Sequence, residues 1–160
     1  MKTLLAIVVL ACALQGEKKS NPGFEQLKKL EGTWESSDKE HPCTISYKLS
    51  AGGSILVETL SMGNHGEMVT VYHPEGDGLG MTHYCMLANQ PHMKSGKDNP
   101  AGVLRFVCDG GSNFKCASDK HMHSLVITWV DADHVKQDWA LYDGGKEAGI
   151  HSFALVRRKA

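Results

Sequence analysis

The sequence predicts an all-β protein: a closed, up-and-down antiparallel β-barrel of about ten strands, with a short N-terminal helix capping one end. Short segments of alternating apolar and polar residues follow one another from residue 33 onward, separated by turns rich in Gly, Asn and Asp. A Gly32-x-Trp34 motif opens the first segment, and the basic pair Arg157-Arg158 closes the last. Together these features favour a sheet that closes on itself.

Composition restricts the class of protein further. The chain has 160 residues, enough for one domain with a substantial core, and 41% of them are hydrophobic and 22% charged. The formal net charge is -1, with acidic and basic residues interspersed along the chain. Because no basic patch stands out, the composition argues against a nucleic-acid partner.

Residues 1–16 have the pattern of a signal peptide. Lys2 precedes an apolar run over residues 4–14, which as a helix reaches about half of a roughly 30 Å hydrocarbon core and is too short to span a membrane. The sequence therefore predicts an exported protein, periplasmic or secreted, with no membrane span. Cys12 follows a weak lipoprotein-like box, so a lipoprotein anchored by a lipid on Cys12 is the alternative.

The predicted barrel domain covers residues 21–160 and begins with the helix. Asn21 is a plausible N-cap, Pro22 suits the first helical position, and Gly32 ends the segment. The apolar positions of this helix recur every three residues, which indicates one buried face of about two turns: Phe24, Leu27 and Leu30.

Ten strands are predicted after the helix, and each is bounded by turn residues. They cover residues 33–37, 43–49, 54–62, 65–73, 79–87, 90–95, 103–108, 121–130, 134–142 and 147–157. The sixth is the least regular, because Pro91 implies a bulge or a sheet edge. An up-and-down barrel closes antiparallel only with an even number of strands, so the count favours including it.

Closure would place the end of the last strand beside the start of the first. The stem of Arg157 or Arg158 can then pack on the indole of Trp34. We therefore expect Gly32, Trp34 and Arg157 to have structural roles.

This motif and strand pattern resemble the calycin group, the lipocalins and their relatives. More specifically, residues 57–59, 68–73, 81–85, 89–91, 121–123 and 131–134 resemble a family of small exported bacterial proteins described as lipocalin-like, without an established ligand. The resemblance covers nearly the whole mature chain. It implies the barrel fold, and it implies no mechanism.

A more distant resemblance connects the C-terminal segment with haem proteins. Gly149-Ile150-His151-Ser152-Phe153 is similar in position to the histidine segment of the nitrobindin group, ten-stranded barrels that bind haem. The resemblance implies His151 as an axial ligand, with Phe153 on the same strand face. Haem through His151 is therefore the cofactor alternative to a barrel with no cofactor.

Four cysteines remain after the predicted leader, an even number that permits two disulfides with three connectivities. The strand count places all four at the end of the barrel opposite the helix. This placement favours Cys108–Cys116 and Cys43–Cys85, although Cys85 is equally consistent with a free buried thiol.

Candidate ligand-binding residues are polar and aromatic side chains of the strands that would meet in the barrel if their faces point inward. They are Glu58, Thr70, Tyr72, His83, His123, Trp129, Trp139 and His151. For Glu58 the pattern fits an inward and an outward position equally. His121 and His123, with His83 or Glu58, form an alternative set of metal ligands. The favoured interpretation includes no metal site. It also includes no catalytic set, because the His83–Cys85 pair has no orienting third group.

The sequence thus predicts an exported lipocalin-like protein that binds a small, mostly apolar molecule in the barrel interior. One alternative is a haem- or metal-binding barrel that uses these histidines. The other is a small hydrolase or isomerase in the same cavity, and a non-enzymatic role is favoured over it.

Overall fold

A computed structural model describes residues 20–159, so the predicted signal peptide and Cys12 lie outside the described residues. The predicted architecture is confirmed: ten antiparallel strands form a closed barrel, preceded by one α-helix, α1 (Pro22–Lys28). The strands are β1 (Gly32–Ser36), β2 (Thr44–Ser50), β3 (Ile55–Ser61), β4 (Glu67–Glu75), β5 (Gly78–Tyr84), β6 (Gln90–Ser95), β7 (Val103–Ser112), β8 (His121–Trp129), β9 (His134–Asp143) and β10 (Lys146–Arg157).

Each strand pairs with the next one along the chain, and β1 closes the barrel against β10. This closing seam is short, with Trp34 opposite Arg157, Glu35 opposite Val156 and Ser36 opposite Leu155. The pairing stops where Ser36, the last residue of β1, lies opposite Leu155. The part of β10 before Leu155, which starts at Lys146, therefore has no β1 partner.

Helix α1 covers one end of the barrel, which we call the capped end. The Asn21 side chain accepts a hydrogen bond from the Phe24 backbone N–H at 3.0 Å and donates one to the Gly78 carbonyl at 2.8 Å. It therefore both caps the helix and ties it to the start of β5. The predicted apolar face of the helix is buried against the barrel core: Phe24, Leu27 and Leu30.

Arg157 connects the end of the last strand with the capped end. Its guanidinium carbon lies 4.2 Å from the ring centroid of Trp34, and its Nη atoms donate to the carbonyls of Glu31 at 2.9 Å and Lys29 at 2.7 Å. Trp34 in turn donates its indole N–H to the Leu30 carbonyl at 2.8 Å. The described chain consequently both starts and finishes at the capped end.

The strand boundaries differ from the predicted ones where turns intervene. Strand β5 ends at Tyr84 rather than residue 87, because residues 85–89 form a turn in which Ala88 has a φ of 59°. Strand β4 begins at Glu67, since His65 lies in a 3-10 turn. The sixth strand is present, and its pairing with β7 shifts next to His92, the irregularity that Pro91 implied.

Alternate side chains of the strands fill the barrel. From the capped end to the middle of the barrel, the inward residues are buried and form one continuous core with the helix. This core includes Ile45, Leu56, Leu79, Met81, Met93, Leu104, Phe106, Leu125, Ile127 and Leu155. At the opposite end, which we call the mouth, the inward positions become partly exposed. Within residues 20–159, no helix has the length and apolarity that a membrane crossing requires.

Candidate functional site

A row of polar side chains crosses the interior on four neighbouring strands. Tyr47 pairs with Glu58, Glu58 with Thr70, and Thr70 with His83, so strand alternation turns all four to the same inner face. All four are buried. A buried polar row is stable only when its members are hydrogen-bonded, and most of these atoms are.

Glu58 lies at the centre of this row. Its Oε2 accepts hydrogen bonds from the Tyr72 hydroxyl and the Gln137 side-chain amide, each at 2.8 Å. Burial raises the pKa of the Glu58 carboxyl, and these donors counteract only part of that effect. The pKa values of Tyr47 and Tyr72 are raised well above their ordinary values by burial and by Glu58, so both phenols remain protonated donors.

Gln137 connects the two sides of the barrel, and the sequence analysis did not identify it. Its Nε2 also donates to the Tyr47 hydroxyl, and its Oε1 accepts from the Trp139 indole N–H at 2.9 Å. The available signal was its position on β9, two residues from Trp139 and two from the apolar Val135. That spacing puts Gln137 on the buried face.

His83 is buried beside this network. Its Nδ1 lies 2.9 Å from the Thr70 hydroxyl, and its ring centroid lies 4.6 Å from that of Trp139. Burial lowers the pKa of His83 to about 4, so the imidazole is neutral at physiological pH. Its Nε2 has no hydrogen-bond partner among the described residues.

A cavity opens at the mouth of the barrel. This mouth cavity measures about 720 Å³ and is lined by the end of β1, the start of β2, the end of β3 and Phe153 in the second half of β10. Its apolar lining comes from Pro42, Cys43, Met62 and Phe153, and its polar lining includes Glu35, Glu40, His41 and His65.

A smaller cavity of about 220 Å³ lies under the helix at the capped end. It is lined mostly by loop residues between β6 and β7 and by the first turn of α1. It is separate from the mouth cavity, which lies at the opposite end of the barrel.

The predicted ligand-binding residues fall into two groups. Five of them belong to the buried interior network: Glu58, Thr70, Tyr72, His83 and Trp139. The other three lie elsewhere. Trp129 is half-buried at the capped end, His151 is exposed on β10 near the mouth, and His123 lies half-buried on β8, stacked on Tyr142 at 3.9 Å between ring centroids.

The histidine pair on β8 is not joined to His83. His121 is buried under Phe114, with ring centroids 4.6 Å apart, and its Nε2 lies 3.1 Å from His123 Nδ1. A register shift between Met122 and Ser124 breaks the strict alternation that the sequence suggested. Among the described residues, His121 instead groups with Cys108 and Cys116.

All four cysteines of the described chain are free thiols. Cys108 Sγ and Cys116 Sγ are 3.4 Å apart, so they are neighbours without being at disulfide distance. The predicted Cys43–Cys85 bond is also not present: Cys43 precedes β2 and Cys85 follows β5, with β3 and β4 between them. Burial raises the pKa values of Cys43 and Cys85, which keeps both as unreactive thiols.

The predicted haem ligand does not line the mouth cavity. His151 follows the exposed Ile150, and of its neighbours on β10 only Phe153 contributes to the lining. The residues present therefore do not enclose an axial histidine in an apolar pocket, as a haem site needs. Haem binding through His151 stays a prediction, to be checked by a Soret band on adding haemin.

Comparison with known proteins adds no family to these observations. No protein-family model matches the chain, and no curated protein matches it significantly. The resemblance to the calycin group therefore stays a prediction from the sequence.

Proposed function

We propose that this protein binds a small, mostly apolar molecule in the mouth cavity. The observation that carries the proposal is the cavity itself, whose volume of about 720 Å³ falls in the range of roughly 300–1,000 Å³ typical of small-molecule sites. Its lining combines apolar side chains with the carboxylates of Glu35 and Glu40. Such a lining suits a ligand with an apolar body and one polar end.

The proposed site lies nearer the mouth than the sequence analysis expected. Deeper in the barrel, Trp34, Ile45 and Leu155 are almost completely buried, and the polar side chains there bond to one another. These residues supply a closed floor beneath the cavity. We therefore assign binding to the mouth and support of the floor to the Glu58 network.

The lining favours binding over catalysis. Cys43 is the one thiol of the described chain among the lining residues, and its raised pKa keeps it protonated. His83, the imidazole of the buried interior network, is not among the lining residues of this cavity. A hydrolase or isomerase mechanism would need an activated nucleophile at the cavity, and these contacts do not supply one.

The proposal is tested by titrating the purified protein with N-phenyl-1-naphthylamine, a neutral apolar fluorophore. We expect saturable binding that Phe153→Glu weakens at least about tenfold, because a carboxylate would replace an apolar contact worth more than about 1.4 kcal/mol. Met62→Glu, on the facing wall, should act in the same direction.

The matched control is Ile150→Glu on the same strand. Ile150 is 56% exposed and is not among the lining residues, so this variant should bind the probe as the wild type does. Absence of saturable binding, or equal weakening by Ile150→Glu, would contradict the proposal. If the probe binds as expected, native mass spectrometry of protein from its own host would identify the natural ligand.

A further inference from the structure

Outside the barrel, on the face formed by β4 to β7, three potential metal ligands converge. His73 and Glu75 lie on β4 and His92 lies on β6, and one ligand atom from each lies within 4.8 Å of the other two. The strand between them, β5, places Gly80 directly opposite His73. We propose that His73, Glu75 and His92 bind a divalent transition-metal ion, with Zn²⁺ as the first probe.

Gly80 makes the convergence possible. A Cβ atom at this position would lie 2.6 Å from His73 Cε1 and 3.0 Å from His73 Nε2, and closer still to Glu75 Oε2. Since real Cβ atoms do not approach other atoms so closely, any other residue would push these side chains apart. The missing side chain on β5 therefore lets ligands from β4 and β6 meet across it.

In both histidines the hydrogen bond is made by Nδ1, which leaves Nε2 available to bind a metal ion. His73 Nδ1 lies 3.1 Å from the Pro74 carbonyl, which can only accept, so Nδ1 carries the proton and Nε2 has the lone pair. His92 Nδ1 lies 2.6 Å from Asp109 Oδ1, the carboxylate–histidine arrangement that commonly orients a metal ligand.

Glu75 provides the third donor atom. Lys94 Nζ binds its Oε1 at 2.9 Å and Asp109 Oδ2 at 3.0 Å, which leaves Glu75 Oε2 directed towards the histidines. That oxygen is buried and has no hydrogen-bond partner among residues 20–159. It lies 3.5 Å from His92 Nε2, close to the roughly 3.3 Å that separates two ligands of a tetrahedral zinc at about 2.0–2.1 Å.

The charge of this group also favours a cation. Two carboxylates, Glu75 and Asp109, face the single ammonium of Lys94, which leaves one excess negative charge beside the two imidazole rings. Two imidazoles and a carboxylate suit zinc and its transition-metal neighbours better than calcium or magnesium. Three protein ligands on a half-exposed surface leave a fourth position for water.

The test is calorimetric titration of the purified protein with Zn²⁺ in buffer free of chelators. We expect one zinc ion to bind, with affinity lowered more than tenfold in His73→Ala and in His92→Ala. Asp109→Asn keeps all three ligands and replaces the carboxylate that orients His92 and pairs with Lys94, and it should weaken binding about 10–100-fold. Circular dichroism of each variant would establish that the barrel is intact.

His134→Ala is the matched control. His134 also pairs with a carboxylate, Asp131, at 2.8 Å, but no third ligand group converges there among the described residues. Binding should be unchanged in this variant. Equal zinc affinity in the wild type and in both histidine variants, or no zinc binding at all, would overturn the proposal.

Cobalt substitution separates this site from the cysteine group. The proposed nitrogen and oxygen ligands predict a Co²⁺ spectrum without a thiolate charge-transfer band. Such a band, abolished by Cys116→Ser, would place the ion on Cys108, Cys116 and His121 instead and would overturn the assignment. Neither outcome depends on the mouth cavity, so this inference stands apart from the proposed function.

Discussion

His83 ties the stability of the barrel to pH. Its pKa is about 4 in the folded protein against an ordinary value of 6.5, because burial disfavours the imidazolium. Between pH 6.5 and pH 4, His83 is protonated in the unfolded chain but stays neutral in the folded one. The stabilisation is therefore complete above pH 6.5 and is lost as the pH falls towards 4.

We expect the wild type to lose about 3 kcal/mol of unfolding free energy from this residue between pH 7 and pH 4, since each pKa unit corresponds to about 1.4 kcal/mol. His83→Gln retains a partner for Thr70 but does not titrate, so its loss over the same range should be smaller by about that amount. Urea denaturation at several pH values measures the difference. Parallel curves for the two proteins would contradict the buried, neutral histidine.

For single residues, the sequence predicted some of the polar side chains of the barrel interior. Glu58, Thr70 and His83 share a face by alternation, and their chemistry singled them out. Alternation shows which residues lie together without showing which face is inward, so inward burial of Glu58 was only one of two options. Gln137 was missed because an amide among apolar neighbours carries no chemical signal until its partners across the barrel are known.

Strand β10 stabilises the helix through one side chain. Arg157 stacks on Trp34 and donates to the carbonyls of Lys29 and Glu31, which follow α1 and would otherwise lack partners. The contact thus joins the barrel seam, the first strand and the helix in one place.

Replacing Arg157 with Ala should lower the free energy of unfolding by about 2–4 kcal/mol, because charged hydrogen bonds and a cation–π contact are lost together. Arg158→Ala is the matched control. Arg158 is exposed and pairs only with Glu35 at 2.7 Å, so its loss should cost less than about 0.5–1 kcal/mol. Equal effects of the two substitutions in urea denaturation would argue against this role for Arg157.

The elements themselves were largely predictable, and their ends were not. Ten alternating segments and an even count led to closure, including the irregular strand with Pro91. Strand β5 ends early because Ala88 adopts a left-handed conformation, for which alanine gives no warning in the sequence. The shift in β8 is equally hidden, since a bulge depends on the pairing of two strands.

For the molecule as a whole, the predicted export bears on the thiol chemistry. A signal peptide over residues 1–16, as the sequence predicts, would bring the protein to an oxidising compartment, and Cys108 and Cys116 are neighbours with their sulfurs 3.4 Å apart. A bond between them requires the sulfurs to approach to about 2.05 Å, with the two thiol hydrogens passing to the oxidant of that compartment.

Protein isolated from its own host should therefore lack about the first 16 residues and be lighter by the two hydrogens of a Cys108–Cys116 bond. Intact mass before and after reduction and alkylation tests both points. Cys116→Ser should abolish the change on reduction, whereas Cys85→Ser should leave it. A mass that retains the leader, or four thiols that alkylate without reductant, would contradict the prediction.

The position of the two chain ends bears on how this barrel can be handled and presented. Residues 20 and 159 both belong to the capped end, tied there by Asn21 and by Arg157. A tag or a chip linkage joined directly at residue 20 or residue 159 would attach on the far side of the molecule from the mouth. Sensor-surface measurements made through such a tether should accordingly leave the mouth facing solution.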